Sequence, residues 1–175
     1  MQNNLLKLIM NRRSIRKFKD EKPEKELINK VISAGLLAPT SKNKKPVEFI
    51  VIEDRDTIRK LESCKSKGAT GLDMAAYAIV VIGDSQKSDV WVEDASIAAA
   101  YMQLQAEDLG LGSVWVQMRK RESEFDSAEN EVRKLLNIPE KFGVLCIIAV
   151  GYKDEMRNPY EDDDIDTSKI HYNMF

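Results

Sequence analysis

The stretch SDVWVEDASIAAAYMQLQAEDLG, residues 88–110, decides the fold because it predicts one long helix with a wide apolar surface. Two adjoining faces of that helix carry mostly apolar side chains at helical spacing. The first face holds Ile97, Tyr101 and Leu104, and the second holds Ala98, Met102 and Gln105. The alanine run at residues 98–100 allows another element to approach closely. This surface predicts a central helix that is either buried or shared with a second chain.

Strands are predicted on both sides of this helix. Gly110 is a natural end for it, and a strand follows at residues 113–116. The run at residues 78–82 is apolar on both faces, which is typical of a central strand. Strands and helices alternate along the chain, so the class is mixed α and β with helices packed on a sheet. The other predicted elements are strands at 47–52 and 144–150, helices at 23–38 and 130–136, a short helix from Asp54 or Asp56 to Leu61, and a first helix capped by Asn3 or Asn4.

The composition excludes several classes of protein. The 175 residues include 27 lysines and arginines and 29 aspartates and glutamates, so the net charge is −2 and general nucleic-acid binding is not expected. Two cysteines and one histidine cannot build a disulfide framework, a zinc set or a histidine-based metal site. Cys64 lies among lysines and is either a plain surface cysteine or a thiol of lowered pKa. The apolar runs are too short to span a bilayer, and we expect a cytoplasmic protein with no membrane partner.

The last stretch of the chain, residues 153–175, differs in character from the rest of the predicted single domain, which spans residues 1–175. It contains an acidic run at residues 161–164. The apolar side chains that follow are Ile170, Tyr172, Met174 and Phe175. A tail with such anchors is expected to dock, either on its own domain or on a second subunit.

A compact basic segment, Arg12-Arg13-Ser14-Ile15-Arg16, is the first candidate site. In an extended conformation, Arg12, Ser14 and Arg16 point to one side. Guanidinium forks match phosphate oxygens, and the serine hydroxyl adds a neutral donor. The spacing alone leaves two interpretations open, a phosphate site and a solvated basic edge.

A second candidate lies between a predicted helix end and a strand start, at residues 39–46 with the sequence PTSKNKKP. Two prolines enclose hydrogen-bond donors and acceptors, which makes the loop stiff and polar. Such a loop suits recognition of the edge of a heteroaromatic ring. A plain helix-to-strand connector is the alternative. The sequence contains no glycine-rich phosphate loop of the Rossmann or Walker type.

Short motifs occur in a fixed order along nearly the whole chain. They are RRSIRKF at residues 12–18, APTSKNKKP at 38–46, DAS at 94–96, GLGSVWVQ at 110–117, LNIP at 136–139, GY at 151–152 and KIHY at 169–172. Each motif is weak alone, whereas their order and spacing are specific. Together they resemble the short form of the FMN-dependent nitroreductases, and this resemblance favours the phosphate interpretation of the basic segment.

The resemblance implies an α+β fold, with a central and mainly antiparallel sheet flanked by helices and an extended C-terminal tail. It also implies an obligate homodimer with two FMN molecules at the subunit interface. Arg16 would lie near the N1 and C2 carbonyl edge of the flavin. No catalytic side chain and no metal are implied. The implied FMN-binding residues are Arg12, Arg13, Ser14 and Arg16 from one chain, Pro39, Thr40, Ser41 and Asn43 from the other, and the backbone of Val116 and Gln117 at flavin N5.

The reaction that the resemblance implies has two steps. NADH or NADPH passes a hydride to the flavin and leaves, and a planar acceptor then takes its place and is reduced. Nitroaromatics and quinones are the usual acceptors of the family. Two alternatives stay open, a flavin-binding storage or sensing protein with little turnover and a polyanion binder that uses residues 12–19.

The chain departs from the family pattern near the expected phosphate. Relatives often place a basic residue in the tail there, whereas Asp162, Asp163 and Asp164 occupy that region in this sequence. Arg157 or Lys153 is expected to compensate for the missing cation.

Overall fold

The strands are β1 (Val47–Ile52), β2 (Tyr77–Asp84), β3 (Leu111–Gln117) and β4 (Phe142–Tyr152). In the computed structural model, which describes residues 5–175, they form one sheet in the order β1-β2-β4-β3, and each neighbouring pair is antiparallel. Every residue of β2 is buried, as its apolar run predicts. The predicted α+β class with a central antiparallel sheet is therefore confirmed.

The helices are α1 (Leu5–Asn11), α2 (Lys25–Leu36), α3 (Arg55–Ser63), α4 (Trp91–Asp108) and α5 (Ala128–Leu136). Local signals set their ends. The Asp54 carboxylate accepts the Thr57 N–H at 2.8 Å and caps α3. Gly110 follows α4 with a φ of 75°, a left-handed conformation that ends the helix as predicted. The predicted caps Asn3 and Asn4 lie outside the described residues.

Alternating side chains of the strands form two cores, one on each face of the sheet. Ala78 and Val80 of β2 face a core that includes residues of α3 and α5. Ile79 and Val81 face a second core, which contains α2 and α4. The period of two in the strands therefore assigns α4, the helix of the opening stretch, to one face of the sheet.

Helices α2 and α4 approach each other closely over β1. A Cβ atom on Gly35 of α2 would lie 2.8 Å from the Phe49 ring and 2.9 Å from the Met102 side chain, so only glycine fits there. Ala98 and Ala99 of α4 are buried, which confirms that the alanine run allows close packing.

Part of the apolar surface of α4 stays exposed. Ile97 is 38% exposed and Tyr101 is 43% exposed. The helix was predicted to be either buried or shared with a second chain. Its second face, with Ala98 and Met102, is buried, whereas its first face, with Ile97 and Tyr101, stays partly exposed within residues 5–175. Across the same residues, no helix has both the length and the apolar character that a membrane span needs.

Cys64 differs from both sequence interpretations. It is buried at the end of α3, and burial raises the pKa of its thiol to about 11. The nearby charge of Glu131 acts in the same direction, so the lysines that neighbour Cys64 in sequence were a poor guide. Cys64 is neither a surface cysteine nor an activated thiol.

Candidate functional site

The basic segment at residues 12–16 lies extended beside the start of β3. Ser14 forms a parallel bridge with Ser113, and the Ile15 N–H donates to the Ser113 carbonyl at 3.0 Å. Ile15 is buried, and Gly112 leaves the space that its side chain fills. Because the neighbours of a buried residue in extended chain face the other way, Ser14 and Arg16 face outward, as predicted.

The outward side chains of this segment line a cavity of about 220 Å³. Its walls are almost entirely polar and carry four guanidinium groups and one serine hydroxyl. Such donors match the oxygens of a phosphate group. We call this space the arginine cavity, and its lining residues are Arg12, Arg13, Ser14, Arg16, Arg157 and Tyr160.

The structure distinguishes between the two cations that were expected to compensate for the acidic tail. Arg157 lines the arginine cavity. Lys153 instead donates to both carboxylate oxygens of Glu107, at 2.7 and 2.8 Å. Arg157 is therefore the tail residue available to an anion in the cavity, and Lys153 belongs to a separate ion pair with α4.

A segment that we call the strap, residues 155–160, crosses the basic segment. The Glu155 carboxylate accepts the backbone N–H of Arg16, and the Tyr160 N–H donates to the Met10 carbonyl at 2.9 Å. The Arg13 guanidinium donates to the Asn158 carbonyl and stacks over the Tyr160 ring at 4.3 Å. Sequence analysis missed Glu155 and Tyr160, and no local pattern marks either residue.

The predicted ring-binding loop has an unusual backbone. It contains a short 3-10 turn, Ser41–Asn43, and three residues in the left-handed region: Lys42, Asn43 and Lys45 with φ of 50°, 52° and 48°. Such residues without glycine cost about 1–3 kcal/mol each and persist only where surrounding contacts hold them. The Thr40 hydroxyl holds one of them by accepting the Lys45 N–H at 3.0 Å.

A buried carboxylate anchors the same loop to α4. The Ser41 N–H donates to Asp94 Oδ1 at 2.8 Å, and the Ser88 hydroxyl donates to Asp94 Oδ2 at 3.3 Å. Asp94 is 3% exposed. Thr40 and Ser41 are half-buried beside it, whereas Pro39 and Asn43 are exposed at the loop surface. Sequence analysis quoted Asp94 as part of a motif but gave it no role.

The end of β3 carries the remaining predicted residues. Val116 is buried, and the Gln117 side chain is used internally, accepting from Trp115 Nε1 at 2.8 Å and donating to the Arg119 carbonyl at 2.9 Å. The side chains of Val116 and Gln117 therefore have structural contacts. That the backbone of Val116 and Gln117 meets a ligand at this strand end stays a prediction.

The structure does not bring the two predicted halves of the site together within one chain. Asp94, in the first turn of α4, holds the ring-binding loop, and Glu107, in the last turn, holds Lys153 beside the basic segment. These two α4 residues are about 20 Å apart at about 1.5 Å per residue. The two halves also lie at opposite edges of the sheet, because the ring-binding loop precedes β1 and the basic segment lies beside β3.

The sequence itself matches a known family. The sequence profile of the Nitroreductase family covers residues 9–70 and 63–152. The chain belongs to the nitroreductase family. The predicted family is therefore confirmed, and the matched residues include both halves of the candidate site.

Nitroreductase relatives resemble the chain over almost its whole length. An FMN-dependent nitroreductase from Clostridium difficile R20291 has 47% sequence identity and a TM-score of 0.94, with 97% of this chain and 99% of that chain covered. A protein of Archaeoglobus fulgidus, provisionally named an NADH dehydrogenase/NAD(P)H nitroreductase, is 37% identical over 171 residues, 95% of each chain. A structure from Desulfovibrio desulfuricans, provisionally named a nitroreductase and in complex with FMN, has 26% identity and a TM-score of 0.74 and covers 94% of this chain and 95% of that chain.

Proposed function

We propose that the chain is an FMN-dependent NAD(P)H oxidoreductase that reduces nitroaromatic, quinone or similar planar acceptors. An NAD(P)H-dependent oxidoreductase of the nitroreductase type is the activity that the family membership carries. The observation that carries the FMN assignment is the arginine cavity, on a fold whose Clostridium difficile relative is named FMN-dependent. Its location in the cytoplasm stays a prediction.

The residues of the arginine cavity fit the phosphate end of FMN. Within residues 5–175, no carboxylate forms an ion pair with the guanidinium of Arg12, Arg13 or Arg16. A phosphate monoester carries about −1.5 to −2 charges at neutral pH, which the positive charges of these arginines balance. The volume of about 220 Å³ suits a phosphate with part of its ribityl chain, so the flavin ring lies outside the cavity.

The ring is held by a second copy of the chain. Within one chain, the α4 residues that hold the ring-binding loop and Lys153 beside the basic segment, Asp94 and Glu107, are about 20 Å apart along the helix, so we infer that the two halves serve different flavins. In a two-fold dimer, the arginine cavity of one subunit faces Pro39, Thr40, Ser41 and Asn43 of its partner, and two equivalent sites form. The exposed Ile97 and Tyr101 on α4 support this arrangement because they form an apolar face that residues 5–175 leave partly uncovered.

The tail supports the same assembly. Its anchors are far from buried on their own domain, since Tyr172 is 82% and Met174 is 83% exposed. Ile170 and Phe175 are likewise exposed. Of the two docking modes expected from the sequence, the second subunit is therefore the one we propose, with residues 153–175 as a docking tail of the single domain.

The protein residues bind and orient while the cofactor supplies the redox chemistry. Bound FMN supplies a two-electron carrier that takes hydride from NADH or NADPH and gives it to the acceptor. Arg12, Arg13 and Ser14 would bind the phosphate, and the cation of Arg16 would favour reduction of the flavin, because the reduced ring carries negative charge. The backbone of Val116 and Gln117 would be the part of β3 that meets the flavin at N5. No side chain is required to move a proton, so we assign no catalytic residue.

An anaerobic absorbance experiment tests this function. Purified protein is incubated with FMN, and the spectrum is recorded before and after NADH or NADPH is added. Flavin bands that bleach, followed by recovery when a nitroaromatic or quinone is added, are expected. A yellow protein that stays oxidised would instead indicate a flavin-binding storage or sensing protein, and a protein that takes up no FMN would contradict the proposal.

A further inference from the structure

One carboxylate, that of Glu155, contacts two residues that line the arginine cavity, Arg16 and Arg157, and the adjacent Lys17. Its Oε1 accepts the backbone N–H of Arg16 at 2.5 Å and that of Lys17 at 3.2 Å. Its Oε2 lies 2.8 Å from a guanidinium nitrogen of Arg157. The Glu155 side chain is only 12% exposed, so water competes weakly for these contacts.

The backbone places Glu155 opposite the basic segment. The Asp154 N–H donates to the Lys17 carbonyl at 2.9 Å, which sets the next residue beside Arg16. The successive N–H groups of Arg16 and Lys17 point at one spot, and such a nest attracts anions. Glu155 fills this nest from within the chain. A phosphate in the neighbouring cavity is therefore left with guanidinium and hydroxyl groups as its partners.

The same carboxylate orients Arg157. The Arg157 side chain is 48% exposed, so few packing contacts restrict its rotamers. Its ion pair with Glu155 is the contact that directs the guanidinium toward the cavity that it lines. A site that depends on a long, half-exposed cation needs such a support, because a freely rotating side chain binds less tightly.

We propose that Glu155 is a positioning residue of the FMN site, an inference that rests on the proposed function. It fixes the guanidinium of Arg157 where it lines the arginine cavity, and it fixes the backbone of Arg16 in the wall of the same cavity. It acts through these two residues and lies outside the reacting atoms.

The direction in which one substitution changes the FMN affinity distinguishes this role from a plain charge effect. A carboxylate that acts only through its charge repels a phosphate, so its removal would tighten FMN binding. A positioning carboxylate has the opposite effect, because its removal releases Arg157 and the backbone of Arg16. We expect Glu155→Gln to weaken FMN binding about tenfold, the size of one lost hydrogen bond to a charged group.

The test compares dissociation constants for FMN, measured by flavin fluorescence quenching, in the wild type and Glu155→Gln. Asp154→Asn is the control, because it removes the same charge from the adjacent, exposed residue, and its affinity is expected to stay within about twofold. The affinity for riboflavin, which lacks the phosphate, is expected to fall less in Glu155→Gln than the affinity for FMN. Equal or tighter FMN binding by Glu155→Gln, or an equal loss for both flavins, overturns the proposal.

Two further measurements keep the test decisive. In an Arg157→Ala background, Glu155→Gln is expected to weaken FMN binding by a smaller factor than it does in the wild type. If the two substitutions have fully additive effects on the free energy of FMN binding, Glu155 does not act through Arg157. If Glu155→Gln does not fold by circular dichroism, Glu155→Asp takes its place, since it keeps the charge but shortens the reach. An unchanged FMN affinity of Glu155→Asp overturns the proposal.

Failure of the proposed function has a different signature. Wild-type protein that binds no FMN contradicts the function, while hydrogen–deuterium exchange of residues 14–19 without cofactor still tests Glu155. Faster exchange in Glu155→Gln supports its hold on the Arg16 and Lys17 N–H groups. An unchanged exchange rate of these groups in Glu155→Gln overturns the proposed role of Glu155.

Discussion

The two halves of the candidate site are held by different parts of the molecule. The basic segment lies on the surface beside β3, and the strap holds it through Glu155, whose side chain is 12% exposed and paired with Arg157. The ring-binding loop is held by Asp94, which is 3% exposed and lies in the first turn of the central helix α4. One anchor belongs to the periphery of the chain and the other belongs to its core.

This difference indicates what each half contributes. Within residues 5–175, Asp94 has no cation partner, and its charge is satisfied by the Ser41 N–H, the Ser88 hydroxyl and the N-terminal end of α4. Losing such a buried acceptor costs stability. The arginines of the basic segment lie at the surface and form no ion pair with a carboxylate within residues 5–175, so changes there alter the affinity for an anion more than the stability of the fold. Four predictions test this contrast, in order of decreasing effect.

The largest effect is expected from Arg16→Ala in the basic segment. Loss of hydrogen bonds to a charged ligand costs about 1.5–3 kcal/mol, so FMN binding should weaken roughly 10- to 100-fold. Hydride transfer from NAD(P)H should also slow, because the cation at the flavin edge is gone. Fluorescence titration and stopped-flow absorbance measure the two effects. Lys19→Ala, three residues beyond Arg16 and outside the cavity lining, is the control, and equal effects of both variants would mean that the basic motif is wrongly placed.

The second prediction concerns Asp94→Asn, which should lower stability rather than affinity. The amide can accept from Ser41 with one atom, but its NH2 group cannot accept from Ser88. We expect a loss of about 1–3 kcal/mol in the free energy of unfolding. For a chain of this size, that loss lowers Tm by roughly 2–10 °C, as measured by thermal unfolding.

Glu93→Gln is the matched control for Asp94→Asn. Glu93 lies next to Asp94 in the same helical turn but is exposed. Its removal costs only the interaction with the helix dipole, about 0.3–1 kcal/mol. Equal changes in Tm for the two variants would show that Asp94 acts through its charge at the helix end and not as an anchor of the loop.

The fold could be predicted from the sequence because its strands are short apolar runs. The strand predicted at 144–150 is observed as Phe142–Tyr152. The prediction is therefore right in the middle of the strand and two residues short at each end. Pairing with β2 and β3 extends it, since Tyr152 pairs with Leu111 and Phe142 pairs with Asp84. These partners are distant in sequence, and a local pattern cannot contain them.

The anchors of the site escaped prediction for the same reason. Glu155 contacts a residue 139 positions away, and Asp94 contacts one 53 positions away. From the sequence alone, a glutamate near an acidic tail is interpreted as a solvated surface residue. An aspartate at a helix start is interpreted as a favourable charge in the first turn. The motifs at residues 12–16 and 39–46 were visible because each gathers its chemistry within a few consecutive residues.

The third prediction tests whether the two halves combine between chains. Mixed dimers of an Arg16→Ala chain with an Asn43→Ala chain should contain one site with both defects and one intact site. We expect tight FMN binding at about half of the sites, although neither homodimer binds tightly. Tagged co-purification followed by FMN titration measures this stoichiometry. If both halves served the same flavin within one chain, every site in the mixed dimer would be defective and no tight binding would return.

The smallest effect is expected from acid acting on the strap. Hydrogen bonds from the Arg16 N–H and Lys17 N–H, with the charge of Arg157, lower the pKa of the Glu155 carboxyl below its ordinary value of 4.5. Because the folded pKa is lower than the unfolded one, the stabilisation is complete above about pH 4.5 and is lost as the pH falls through the folded pKa. Wild type should therefore exceed Glu155→Gln in free energy of unfolding by up to about 1 kcal/mol at neutral pH.

This difference in the free energy of unfolding between the wild type and Glu155→Gln should vanish in acid. Urea unfolding at a series of pH values measures it. Asp154→Asn, measured alongside, gives the part of the acid response that any lost carboxylate at this position causes. A wild-type advantage that stays constant down to about pH 3 would contradict the charged contact between Glu155 and the basic segment, since a protonated carboxyl no longer pairs with Arg157. The strap would then hold the segment through its backbone bonds and the Tyr160 stacking alone, and the contrast between a peripheral anchor and a core anchor would be one of packing and not of charge.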